Sequence, residues 1–219
     1  MMRWALYAAS AAGGRTRCLT PENTADDTKP RYSPDSRSIL YGLKRDPLNY
    51  ADRVRLALLD RASGRTTILT EGGDRSCSAW EWLDPRTVAV EVEDRGRITI
   101  CMLAVDELGR EPATLHADGS LHLSRAARGR PFVTQESLRA PPEAACLSVA
   151  GGTLQPLTHF NDEALSAFSL SDWEELELAG AGADAVHTFV VYPPGFSAER
   201  KWPLLQLIHG GPLGMFGDA

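Results

Sequence analysis

The run Trp202-Pro-Leu-Leu-Gln-Leu-Ile-His-Gly-Gly-Pro212 carries an apolar strand straight into a His209-Gly210-Gly211-Pro212 turn. These residue types suit one chemistry. When a nucleophile attacks a carbonyl, negative charge develops on the oxygen. Fixed backbone N–H groups stabilise that charge without reorganising during the reaction. Glycine lets the main chain come close and adopt φ values that a Cβ would forbid. Gly210 and Gly211 fit that task. Pro212 has no N–H to donate and holds Gly211 toward extended geometry. His209 reads as a packed loop residue that shapes the turn rather than a proton carrier. The same residues are also ordinary strand-to-loop punctuation, and both readings stand at this point.

The partners that such a turn needs are not found in the sequence. No Gly-x-Ser-x-Gly elbow occurs in the 219 residues. The four cysteines, Cys18, Cys77, Cys101 and Cys146, are widely spaced and form no Cys-x-x-Cys pair. Scattered buried thiols are the simpler reading, because free cysteine packs as a small hydrophobe. His116, His122, His159, His187 and His209 show no metal-ligand spacing. Asp26-Asp27 near Asp35 matches no calcium-loop pattern and reads as turn capping. Glu174-Glu175 reads as a solvated strand face. No metal and no cofactor is expected.

Composition sets the outer bounds. A formal charge of −6 and the lack of any Lys/Arg block argue against a nucleic-acid partner. A hydrophobic content of 43% supports an ordinary packed core. No run approaches the roughly 18 apolar residues of a membrane helix. Met1 to Ala12 faintly echoes a leader segment, but the repeat described next assigns it to a strand.

Elements that would position the turn emerge as a repeat. Gly14-Arg15 precedes Leu19-Thr20, Gly64-Arg65 precedes Leu69-Thr70, Gly109-Arg110 precedes Thr114-Leu115, and Gly152-Thr153 precedes Leu157-Thr158. A short strand-like run leads each copy: Trp4 to Ala8, Leu56 to Asp60, Ile98 to Leu103 and Ala145 to Val149. Each copy therefore reads as a hairpin. Between copies lie further strands, with turns at Ser33-Pro-Asp-Ser36 and Asp84-Pro-Arg86 and strict alternation from Val88 to Val92. A four-stranded unit of about 40 to 50 residues is the period of a β-propeller blade. The expectation is a mainly β chain: about three blades and a leading hairpin over 1–160. A generic β-sandwich is the competing reading. Closed propellers have about 4 to 8 blades, so an open arc of this size would expose sheet edges.

The repeat breaks at Phe160 to Ser171. Asp172 to Leu178 and Ala185 to Tyr192 then read as strands joined by a turn at Gly180 to Asp184, and Pro203 to Ile208 as a further strand. Residues 161–184 form the junction and lead-in hairpin, and 185–219 form a second domain.

The stretch Val186 to Gly217, with Tyr192-Pro-Pro-Gly-Phe196 and His209-Gly-Gly-Pro212 inside it, resembles the start of the peptidase domain in the prolyl oligopeptidase family, above all its acylaminoacyl-peptidase and dipeptidyl-peptidase branch. Ala140-Pro-Pro-Glu143, Leu157-Thr-His-Phe-Asn-Asp162 and Thr20 to Asp35 resemble blades of that branch. The resemblance implies a partial propeller followed by the first strands of an α/β-hydrolase domain. It implies a serine peptidase acting on short peptides, with the His209–Pro212 loop in its oxyanion hole. In such hydrolases acid and base follow the nucleophile in the chain, so the triad is expected beyond Ala219 and the chain alone is expected to be an inactive, truncated fragment. The alternatives are a non-catalytic β-propeller binding module, or an esterase on the same scaffold. A cytoplasmic location is expected, with periplasmic or secreted relatives also compatible. Oligomeric state and peptide preference are left open.

Overall fold

A computed structural model describes residues 3–108, 112–210 and 214–218. Its first 158 residues contain three four-stranded antiparallel sheets behind a two-stranded ribbon. The ribbon pairs β1 (Tyr7–Ala8) with β2 (Arg17–Cys18). Sheet one is β3 (Asp27–Tyr32), β4 (Ser38–Leu43), β5 (Arg55–Asp60) and β6 (Thr66–Ile68). Sheet two is β7 (Cys77–Trp82), β8 (Thr87–Asp94), β9 (Arg97–Ala104) and β10 (Ala113–His116). Sheet three is β11 (Ser120–Ala127), β12 (Arg130–Ser137), β13 (Ala140–Leu147) and β14 (Leu154–Pro156). Strands follow chain order in every sheet, which is the meander of a propeller blade.

The sheets stack face to face because side chains alternate along each strand. Ile39, Tyr41 and Leu43 of β4, with Ala57 and Leu59 of β5, turn toward Leu6 and Leu19 of the leading ribbon. Leu40 and Leu56 turn the opposite way and meet Trp80, Val88, Val90 and Val92 of sheet two. On the other face of sheet two, Ala89 and Ile100 meet Leu121, Val133, Ala145 and Leu147 of sheet three. So each of the first two sheets is buried on both faces. Polar bonds fix the stacking. The Trp80 indole N–H donates to the Lys29 carbonyl at 3.1 Å. Glu91, 6% exposed between sheets two and three, accepts from the Ser78 hydroxyl at 3.0 Å and from the Leu123 backbone N–H.

The glycine repeat is the outer hairpin of each sheet. Gly14, Gly64 and Gly152 hold φ of +113, +74 and +66 in the turns. Gly109 and Arg110 of the remaining copy lie outside the described residues. The strand pair β11–β12 carries no flagged signal in the sequence. Its turn, Arg128-Gly129, places both residues at positive φ, a role usually taken by Asn-Gly or Asp-Gly.

After a short helix, α1 (Asp162–Ser166), a second ribbon forms from β15 (Trp173–Ala179) and β16 (Ala185–Val191), joined by a 3-10 turn at Ala181–Ala183. One sequence expectation needs correction. No strand forms over 203–208. Leu204, Leu205, Leu207 and Ile208 are 71–90% exposed. An extended apolar segment becomes a strand only when a neighbour accepts its backbone hydrogen bonds, and no ladder among the described residues includes it. Glu174 and Glu175 lie on an exposed strand face, as expected, and find partners there. Glu174 accepts from the Tyr192 hydroxyl, and Glu175 is paired with Arg97 and His187. No helix among the described residues is long and apolar enough to cross a membrane.

Candidate functional site

The turn with oxyanion-type residues is only partly described. Gly211 and Pro212 lie outside the described residues. His209 and Gly210 are exposed. His209 Nδ1 lies 3.1 Å from the Gly210 carbonyl oxygen, and the imidazole meets the Phe216 ring edge-on at 6.0 Å. A Cβ added to Gly210 would meet nothing within 4 Å. That open space is what close approach of another group to this backbone requires.

Only the downstream flank of His209–Gly210 is tied to the sheets; the upstream contacts are local to 196–202. Upstream, the Trp202 indole N–H donates to the Ser197 carbonyl at 2.9 Å, and the ring stacks on Phe196 at 5.9 Å with Arg200 over its face at 3.6 Å. Downstream, Asp218 is 3% exposed. Its backbone N–H donates to the Gly96 carbonyl at 2.7 Å. Its carboxylate accepts from the Leu138 N–H at 2.8 Å and pairs with Arg97 Nε at 3.3 Å.

Arg97 gathers the remaining polar groups. Its guanidinium lies 5.6 Å from the ring centres of both Trp173 and Phe189 and donates to Glu175. Glu175 also lies 3.0 Å from His187 Nε2. The Arg97 hydrogen bond, helped by His187 and opposed by partial burial, holds the Glu175 carboxyl at about 2. Arg97 and Asp218 were not singled out in the sequence. The local signal was the Asp94-Arg-Gly-Arg97 turn, whose Arg95 and Gly96 hold φ of +49 and +75.

Elsewhere the chemistry-bearing residues are structural. Cys77, Cys101 and Cys146 are buried and free. Burial pushes the Cys77 thiol up to about 11 and raises Cys101 as well, so neither thiol is a ready nucleophile. Among the described residues no His, Cys, Asp and Glu cluster has the grouping of a metal site. Asp27, near the leading ribbon, is buried and its carboxyl is raised by desolvation. It accepts from Asn23 at 2.7 Å. An open cleft of about 600 Å³ lies between the leading ribbon and sheet one, with Leu19, Tyr41 and Leu59 among its apolar walls and Arg17 and Arg61 among its charged ones.

No family model matches the chain. In sequence it is 31% identical over 201 residues to a probable dipeptidyl-peptidase 5 of Emericella nidulans, a match covering 89% of this chain and 28% of that protein. In fold it is similar to an acylaminoacyl peptidase solved with Z-Gly-Gly-Phe-chloromethyl ketone, with a TM-score of 0.77 over 98% of this chain and 32% of that one at 17% identity. It is likewise similar to the acylaminoacyl peptidase of Pyrococcus horikoshii, with a TM-score of 0.75 over 97% of this chain and 31% of that one at 16% identity. The chain thus spans under a third of the length of each of these three proteins.

Proposed function

We propose, on the premise that the chain is a relative of the prolyl oligopeptidase-family peptidases over a fragment of their length, that it is a piece of a serine-type exopeptidase acting on short peptides. Residues 1–160 are its partial propeller, 161–184 the junction, and 185–219 the opening of its α/β-hydrolase domain. Gly210 and Gly211 supply oxyanion-hole N–H groups, with His209 and Pro212 shaping the turn. The place of action is cytoplasmic.

One observation carries this reading: sequence similarity covers 89% of the chain, so it takes in blades and lead-in ribbon together. A shared propeller alone would not extend it past residue 160. The parent reaction is attack by a serine on the peptide carbonyl, with the developing oxyanion held by backbone N–H groups and the acyl-enzyme then hydrolysed. This chain has no Gly-x-Ser-x-Gly elbow. Without nucleophile and base an oxyanion hole has nothing to stabilise, so these 219 residues alone do not hydrolyse peptides.

The test is to read the encoding locus past codon 219 in all frames and assay the longest product on dipeptidyl and acylaminoacyl anilides. A Gly-x-Ser-x-Gly elbow followed by Asp and His, with turnover lost on changing that Ser to Ala, supports the proposal. A locus without an elbow overturns it and leaves a propeller-type binding module as the reading to test.

A further inference from the structure

We propose that Arg97 is a positioning residue: a latch on sheet two that holds both the β15–β16 ribbon and the downstream arm of the His209–Gly210 turn. This rests on the reading of that turn as part of a peptidase site only for its functional meaning. The latch itself stands on contacts.

Four of them converge on one guanidinium. Arg97 opens β9, directly after a two-residue hairpin turn. One of its terminal nitrogens donates to Glu175 on β15. Its plane faces Trp173 of β15 and Phe189 of β16. Its Nε pairs with Asp218. A planar guanidinium presents five donors in a fixed fork and stacks on aromatic faces, whereas a lysine ammonium is a compact point charge with no face to stack. The Arg97 side chain is 17% exposed and that of Asp218 5%, so their pair is screened far less than a surface pair.

The turn itself is shaped for the docking. A Cβ at Gly96 would collide with the Phe189 ring and crowd the Gly217 backbone at 3.3 Å. Asp218 is held from a third side by the Leu138 N–H, in the turn between β12 and β13. Only seven residues separate Gly210 from Asp218, so anchoring Asp218 confines the turn to a reach of about 3.5 Å per residue. The neighbouring Arg95–Glu177 pair offers a control, since both of its side chains are 59% exposed and such pairs contribute little.

Hydrogen exchange followed by mass spectrometry on the 219-residue protein tests the latch, using Arg97→Ala, Asp218→Asn, their double variant and Arg95→Ala. Asp218→Asn is expected to speed exchange about tenfold at the residue-218 amide, which donates to the Gly96 carbonyl, while leaving 173–191 unchanged. Arg97→Ala is expected to speed both. The double variant should be no faster at the residue-218 amide than Asp218→Asn alone, because the Arg97–Asp218 ion pair is already lost in that variant. Arg95→Ala should change neither. Exchange in 120–137 reports on the integrity of the sheets. If Arg97→Ala disturbs it, the Asp218→Asn variant decides alone. The proposal is overturned if Asp218→Asn leaves the residue-218 amide at the wild-type rate, if it frees the ribbon as well, or if the double variant is additive. None of these outcomes involves peptide hydrolysis, so the latch and the peptidase reading fail separately.

Discussion

The Thr70 hydroxyl accepts a hydrogen bond at 2.9 Å from the backbone N–H of Leu56, fourteen residues earlier. The Leu69 N–H returns to the Leu56 carbonyl at 2.8 Å. The same pair of bonds joins Thr20 and Leu19 to Leu6, and Thr158 and Leu157 to Ala144. The threonine thus ends the outermost ladder of a sheet by completing a backbone donor that its fourth strand no longer reaches. Thr70→Ala is expected to strand the buried Leu56 N–H and cost about 1–3 kcal/mol. Thr70→Ser should keep most of the stability. Urea denaturation of the three proteins checks this, and equal midpoints for alanine and serine would contradict it.

Two turn glycines separate backbone strain from steric contact. Gly64 has φ +74 and open space around an added Cβ, so Gly64→Ala is expected to cost about 1–2 kcal/mol. Gly152 has φ +66, and its Cβ would drive into the Leu115 carbonyl oxygen of the neighbouring sheet. Gly152→Ala is expected to cost clearly more and to loosen the contact between sheets two and three. Thermal melting ranks the two, and the reverse order would contradict the stacking described.

Acid should undock the second ribbon. The folded Glu175 carboxyl lies at about 2, against an ordinary 4.5. A depressed carboxyl contributes stability that is present above its unfolded value and lost as pH falls toward the folded one. The window is therefore pH 4.5 down to 2. Trp173, facing Arg97, is one of five tryptophans, and the part of the fluorescence change that Trp173→Phe removes reports on the ribbon. Glu175→Gln is expected to flatten the transition in that window. An unchanged titration would place the acid sensitivity elsewhere, for instance at Asp52, whose carboxyl is lowered to about 2 by the Arg45 and Asp46 N–H groups and Arg55 against the opposing effect of burial.

The exposed run Leu204 to Ile208 has no packing to lose. Leu205→Ser and Leu207→Ser are expected to change stability by less than about 0.5 kcal/mol and to reduce self-association seen by light scattering. A loss of stability above 1 kcal/mol would mean that these leucines are buried in the protein.

The blades were legible because their signal is local. A glycine at positive φ and a threonine closing the ladder recur at fixed spacing, and Asp84 caps its own turn by accepting from the Arg86 and Thr87 N–H groups at 2.7 and 2.9 Å. The β11–β12 pair was not, since Arg128-Gly129 is an uncommon way to fill a turn with two positive φ values. Pro141 and Pro142 within β13 also read poorly as strand, yet they sit beside a register shift, where proline is tolerated. At the candidate site, His209 and Gly210 stood out by residue type, and Gly211 and Pro212 lie outside the described residues. The anchor beyond them was not legible, because Asp218 and Arg97 meet 121 positions apart. Such a pair leaves no trace in spacing. The partner of Glu175 was hidden for the same reason: strand alternation places it outward on an exposed face, and only the tertiary arrangement brings Arg97 to it.

Under the proposed function these residues carry the frame of a serine peptidase without its nucleophile. Intact-mass analysis of the 219-residue protein after treatment with a fluorophosphonate, alongside dipeptidyl-anilide turnover, tests it most directly. An unmodified mass and no turnover are expected. A single stoichiometric adduct on one serine, with turnover that the probe abolishes, would contradict it.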